Sequence, residues 1–173
     1  MKNELNDKFS LISENNCIKV SNKDIFFIED SEKTKKSYIF YDENKANSQF
    51  FSVTNPKFKE INLLQIDHCL FFDNNKEKCD FALFDDKDFI FVELKEKRAN
   101  QRSRGMKKAI NQLKSTISIF KDNIDFDKHN LEAYICVGKQ GKPGISAKKQ
   151  DLQLEFEDEY SARLFFGCGK RFL

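Results

Sequence analysis

The 173-residue sequence has no tryptophan, two prolines, two methionines, two histidines and six glycines. Without Trp, large-ring burial falls to 19 Phe residues, which the core must use as its main filler. The two histidines, His68 and His129, stand too far apart to form a ligand pair on one element, so surface or structural roles are expected. The five cysteines (Cys17, Cys69, Cys79, Cys136, Cys168) include no CxxC pair and no Cys/His spacing of a zinc site. Most lie in apolar runs, where a free thiol acts as a small hydrophobe, and the expectation is a reducing cytoplasm. No segment approaches the ~20 apolar residues of a membrane span. The opening MKNELNDKFSL lacks the apolar stretch of a secretory leader, so a soluble chain without membrane partners is expected. Glycine scarcity excludes more: GKQGKPG does not follow the GxxxxGK[ST] order of a nucleotide-binding loop, although Lys139 or Lys142 could touch a phosphate. Ser103 and Ser115 lack a GxSxG setting.

What is abundant is charge of both signs. Lys and Arg total 30 against 28 Asp and Glu, a net of +2, so no global field marks a nucleic-acid binder. The distribution is uneven. Lys95 to Lys108 holds seven basic residues and one acid, whereas Asp151 to Glu159 holds five acids and no base. The acidic run reads most simply as a solvated helix face. With 39% hydrophobic residues, the chain can build a core, and its length fits one domain, or one domain with an appendage.

Short β-like runs (CIKV, DIFFIED, SYIFYDE, QFFSV) separated by polar turns occupy residues 1–55, which predicts an N-terminal β-rich extension packed on a core of residues 56–173. Pro56 predicts the start of a short helix to about Gln65, with Phe58, Ile61 and Leu64 on one stripe. Three strands follow: HCLFF (68–72), KCDFALF (78–84) and FIFVELK (89–95), an antiparallel meander. Ser103 is positioned to cap a helix over 104–121, whose Met106, Ala109, Ile110, Leu113, Ile117 and Phe120 recur at helical period. LEAYICVG (131–138) reads as a buried strand, 146–160 as polar or helical, and RLFFGCGKRF as a last strand broken by its glycines. The order predicts an α/β domain of α+β type around a central mixed sheet.

Charge intrudes into the meander. Alternation puts Glu93 and Lys95 on the face shared by Phe89 and Phe91, with Ile90, Val92 and Leu94 opposite. Asp80, on the neighbouring strand, meets the same end. Two carboxylates brought together resist burial, and a hard divalent cation relieves the repulsion. Mg2+ suits the arrangement because it binds through one or two carboxylates and keeps several waters. A lysine beside it can steady charge on a phosphate in transit.

Asp, twelve residues, then Glu-x-Lys, in C-D-F and V-E-L-K, resembles the PD-(D/E)xK nuclease superfamily. AINQLKST resembles the Q-L element that often follows the E-x-K strand. The resemblance covers roughly residues 56–138 and implies a restriction-endonuclease-like αβββαβ core. It further implies a Mg2+-dependent nuclease, with Mn2+ able to substitute, that hydrolyses phosphodiesters, DNA favoured over RNA. It would act in bacterial defence or DNA processing, as a homodimer or within a larger defence complex. Asp80, Glu93 and the Leu94 carbonyl would be metal ligands, Lys95 catalytic and Gln112 an accessory catalytic residue. Family members often add an acid from the helix before the meander, for which Glu60 and Asp67 are the candidates. Lys97, Arg98, Arg102, Arg104, Lys107 and Lys108 follow the site directly and are placed to meet a phosphate backbone. The plain readings are a rim ion pair for Glu93 and Lys95 and a solvated helix face for the basic run. The alternative in another function class is a non-catalytic nucleic-acid-binding or accessory subunit on the same fold.

Overall fold

The run Asp88–Lys95 shows how the chain builds its centre, because it has no solvent face until its last residue. Phe89 and Phe91 pack toward the helices, with Phe120 at 5.1 Å from Phe91. Ile90, Val92 and Leu94 pack the other way, into a second sheet that supplies Phe26, Ile28, Phe51, Val53 and Phe172. A strand covered on both faces needs a nearly continuous apolar sequence. Each ring or branched side chain fully buried there contributes about 1.5–3 kcal/mol.

The computed structural model describes residues 1–31, 33–71, 77–95, 102–137 (side chains of 102–104 excepted) and 147–173. In chain order the elements are α1 (Lys2–Lys8), α2 (Ser10–Glu14), β1 (Ile18–Ser21), β2 (Ile25–Asp30), β3 (Ser37–Phe40), β4 (Phe50–Thr54), β5 (Ile61–Gln65), β6 (Phe81–Phe84), β7 (Asp88–Lys95), α3 (Arg102–Lys121), β8 (Asn130–Val137), α4 (Ala147–Tyr160), β9 (Arg163–Phe166) and β10 (Gly169–Arg171). A 3-10 turn, Glu43–Lys45, lies between β3 and β4. The six-stranded sheet runs β1-β5-β6-β7-β8-β9 and the four-stranded sheet β10-β4-β2-β3. In the larger sheet, β6 is antiparallel to both its neighbours, β5 and β7, whereas β7, β8 and β9 are parallel. The smaller sheet is also mixed, since β10 lies parallel to β4 while β2 is antiparallel to both β3 and β4. The fold is therefore mixed α/β, with helices packed on one face of the large sheet and the small sheet on the other. Among the described residues, no helix is long and apolar enough to cross a membrane.

The two sheets exchange strands across residue 55. β1, from the N-terminal part, pairs with β5 of the large sheet, and β10, from the far end of the chain, pairs with β4 of the small one. An ionic cluster around the buried Glu132, with Arg163 at its solvent edge, links the layers at this crossing. Glu132 on β8 takes Arg163 (2.6 Å) and Lys170 (2.8 Å) and accepts the Tyr134 hydroxyl (3.0 Å), and Lys170 also lies 3.3 Å from Asp88.

The structure departs from the sequence expectations in four places. Residues 61–65 form β5, not a helix, because both layers cover them and all five residues are buried. The first meander strand therefore lies upstream of 68–72; residues 66–71 form a turn, and Phe72 lies outside the described residues. Two N-terminal helices, not expected, put Leu5 and Ile12 into the helical-side core. The cysteines are not all free thiols, because Cys17–Cys69 and Cys136–Cys168 are disulfides and Cys79 is the free one. Partners 52 and 32 residues apart in sequence meet only through the sheet topology. On α4, Glu155 and Glu159 reach Lys114 of α3, so part of the acidic run is an interhelical contact.

Candidate active site

Three strand ends meet at the edge of the large sheet where β5 and β7 finish and β6 begins. The β6–β7 ladder ends at Phe81–Val92, and one further step sets Asp80 across from Glu93. Asp80 has left the ladder, and its side chain substitutes for it: Asp80 Oδ2 accepts the Leu94 N–H at 2.5 Å. In an extended strand the N–H and C=O of one residue project to the same side, so the Leu94 carbonyl also faces Asp80. The Asp80 carbonyl in turn accepts the N–H groups of Ile66 and Asp67, both at 3.1 Å, which sets Asp67 beside it. Asp67 lies 3.4 Å from Lys78 Nζ and 3.5 Å from His68 Nε2. His68 adopts φ 55, left-handed backbone in the tight turn that carries Asp67.

Glu93 is not half of a rim ion pair. Its side chain is 0% exposed, and the ammonium of Lys95, 21% exposed, abuts its Oε1. Both Glu93 oxygens and Asp67 Oδ1 are buried without a well-formed hydrogen bond among the described residues. A further acid comes from the small sheet. Asp30, the last residue of β2, accepts the Ser37 hydroxyl at 2.5 Å and lies near enough to Asp80 for its charge to act on that carboxyl. Sequence reasoning missed Asp30. Its only signal was the unremarkable end of DIFFIED, and its place depends on how the small sheet docks.

The electrostatics follow from crowding. Burial, and then the charges of Glu93 and Asp30, push the Asp80 carboxyl well above the usual carboxylate range. Burial likewise raises Glu93 to about 8, against the opposing attraction of Lys95. Burial and the charge of Asp67 raise Asp30, with the Ser37 and Asp80 hydrogen bonds opposing. Burial pulls the Lys95 ammonium down, but Glu93 and Asp80 outweigh it and leave it raised.

The donor set fits a hard divalent cation. Four carboxylates (Asp30, Asp67, Asp80, Glu93) share the locale with the ammonium groups of Lys78 and Lys95. Buried carboxylate oxygens lacking donors are what such an ion satisfies. Among the described residues, no three His, Cys, Asp or Glu side chains form a ready cage. An ion here would therefore rely on one or two carboxylates and its own waters.

The other expected residues fall out as follows. Gln112, 9% exposed, donates to the Lys78 carbonyl at 2.7 Å, so it reaches the backbone leading into Asp80 and not the carboxylates themselves. Glu60 is exposed and precedes β5, at the end of the sheet remote from Asp80; with no helix there, nothing carries it to the cluster. Of its pair, only Asp67 joins the site. Lys107 and Lys108 are exposed on α3. Lys97, Arg98, Lys139 and Lys142, and the side chains of Arg102 and Arg104, lie outside the described residues.

Comparison with protein-family models, with curated proteins and with solved structures finds no match to this chain.

Proposed function

We propose that the chain is a Mg2+-dependent nuclease hydrolysing phosphodiester bonds. The observation that carries this reading is the meeting of Asp80 and Glu93 across adjacent strands, with Lys95 against a Glu93 carboxylate that has no other donor among the described residues. The order β5–β6–β7–α3–β8, with β8 parallel to β7, supports a restriction-endonuclease-like core around them. Asp80 and Glu93 would hold the ion, with Asp67 and the Leu94 carbonyl beside them. When bound, Mg2+ or Mn2+ supplies charge neutralisation and Lewis-acid activation at a phosphodiester. The Leu94 N–H keeps one Asp80 oxygen fixed and leaves the other for the ion. Lys95, held charged by Glu93, stabilises the negative charge that grows on the phosphate during displacement. Lys107 and Lys108 on α3 offer sequence-independent backbone attraction. DNA as the substrate, a role in bacterial defence and a homodimer rest on the sequence resemblance, whereas the cysteine argument for a reducing cytoplasm is lost because four of the five cysteines are paired.

The test is incubation of plasmid DNA with Mg2+ or Mn2+, with EDTA and Glu93→Ala as controls. Metal-dependent cleavage, lowered at least ~100-fold by Glu93→Ala, is expected. DNA binding without cleavage, indifferent to the substitution, would establish the non-catalytic module instead.

A further inference from the structure

Residues Lys78 to Asp80 precede β6 and have no strand ladder of their own, yet they must hold Asp80 in place. Their partners come from α3. Gln112 Nε2 donates to the Lys78 carbonyl at 2.7 Å. One turn later, Thr116 Oγ1 accepts the Cys79 N–H at 2.8 Å and donates its own proton to the Gln112 carbonyl at 2.8 Å. Thr116 is 0% exposed and sits among the apolar residues Leu113, Ile117 and Phe120, where a polar side chain is costly unless it is used. The i, i+4 spacing of Gln112 and Thr116 puts both side chains on the sheet-facing stripe.

We infer that Thr116 is a positioning residue: with Gln112 it lets α3 act as the missing strand neighbour of Lys78–Cys79 and thereby sets Asp80 relative to Glu93. The clamp acts through the backbone. Cys79 is bonded to Thr116 immediately before Asp80, and the Asp80 carbonyl is bonded to Ile66 and Asp67 immediately after. With both sides held, the remaining freedom of Asp80 is its side-chain rotation, which the Leu94 N–H removes. Releasing Cys79 would let the Asp80 carboxyl drift from its place opposite Glu93. Groups that orient a metal ligand from behind change metal affinity typically 10–100-fold when lost.

This inference rests on the cation reading of the site, and the experiment separates the two. Mn2+ affinity is measured by titration calorimetry on the whole protein for wild type, Thr116→Val, Thr116→Ser and Ile117→Val. Thr116→Val is isosteric but ends both bonds, Thr116→Ser retains them, and Ile117→Val trims the adjacent core position without touching the clamp. The expected result is Mn2+ binding about 10-fold or more weaker in Thr116→Val, restored in Thr116→Ser and unchanged in Ile117→Val. Amide exchange at Cys79 should accelerate in Thr116→Val while that of Ala82 in β6 does not. Wild type and Thr116→Val binding Mn2+ equally well overturns the positioning role alone. Equal weakening in Ile117→Val overturns it too, by showing that loss of core packing suffices. A wild type with no Mn2+ affinity removes the cation reading itself.

Discussion

Asp80 Oδ2 takes the backbone N–H of Leu94 at 2.5 Å, in the place where a carbonyl of β6 would sit if the ladder continued. A side chain that completes a ladder is held as firmly as the sheet. The same hydrogen bond favours the ionised carboxylate, against the burial and like charges that favour its protonated form. The site is thus rigid in geometry and in electrostatic conflict, the combination that a cation resolves.

That conflict makes stability depend on pH with a defined sign. Glu93 is raised from 4.5 to about 8 in the folded chain, so between those values the native state holds more protons than the unfolded one. Stability without metal therefore falls as pH rises from about 4.5 to about 8, by at most about 1.4 kcal/mol per pH unit from this residue. Asp80 and Asp30, also raised, act in the same direction. Glu93→Gln should flatten this slope and raise the melting temperature at pH 8, read by thermal denaturation in EDTA. An unchanged slope would show that Glu93 does not titrate there.

Lys95→Met removes the ammonium that opposes the upward shift of Glu93. The apparent Glu93 titration should then move above 8, observable by carbon-detected carboxyl NMR, and on the proposed nuclease reading metal-dependent cleavage of DNA should fall by ~100-fold or more. A lost rate with an unmoved titration would put Lys95 on the substrate and away from Glu93.

Asp30→Asn keeps the acceptor for Ser37 and removes one of the crowded charges. The metal-free protein should gain about 1 kcal/mol at pH 8, or roughly 2–4 °C in melting temperature. The gain in melting temperature on adding Mn2+ should shrink in the variant. If neither changes, Asp30 is not electrostatically part of the cluster.

The Cys17–Cys69 disulfide closes a 52-residue separation and anchors the turn that carries Asp67, alongside the Asn15 side chain bonded to the Cys69 carbonyl at 3.1 Å. Cys69→Ser, which removes this bond and leaves Cys136–Cys168, should cost about 2–4 kcal/mol in denaturant unfolding. Equal midpoints for the variant and the wild type would mean that the bond does not form in solution.

Much of the site could be read from Asp80, Glu93 and Lys95 because strand alternation and hairpin spacing act over a few residues. Phe89 and Phe91 face the helices and Ile90, Val92 and Leu94 face the small sheet, as alternation requires. Residues 61–65 were illegible for the opposite reason: a segment buried on both sides shows no period 2, and Pro56 mimics a helix start. Asp30 and Thr116 were hidden by distance, since each acts on Asp80 from 50 and 36 positions away through tertiary packing. The cysteine pairings depend likewise on topology, which no local pattern encodes.

The pairing of β10 with β4 has a consequence for biosynthesis. Residues 169–171 are translated after every other strand, yet the small sheet that carries Asp30 is incomplete until they dock. During synthesis β5, β6 and β7 emerge well before β10, so the central meander can pair before the layer behind it closes. The layer that carries Asp30 is thus closed by a segment 139 positions further along the chain, which makes its assembly a late, long-range step.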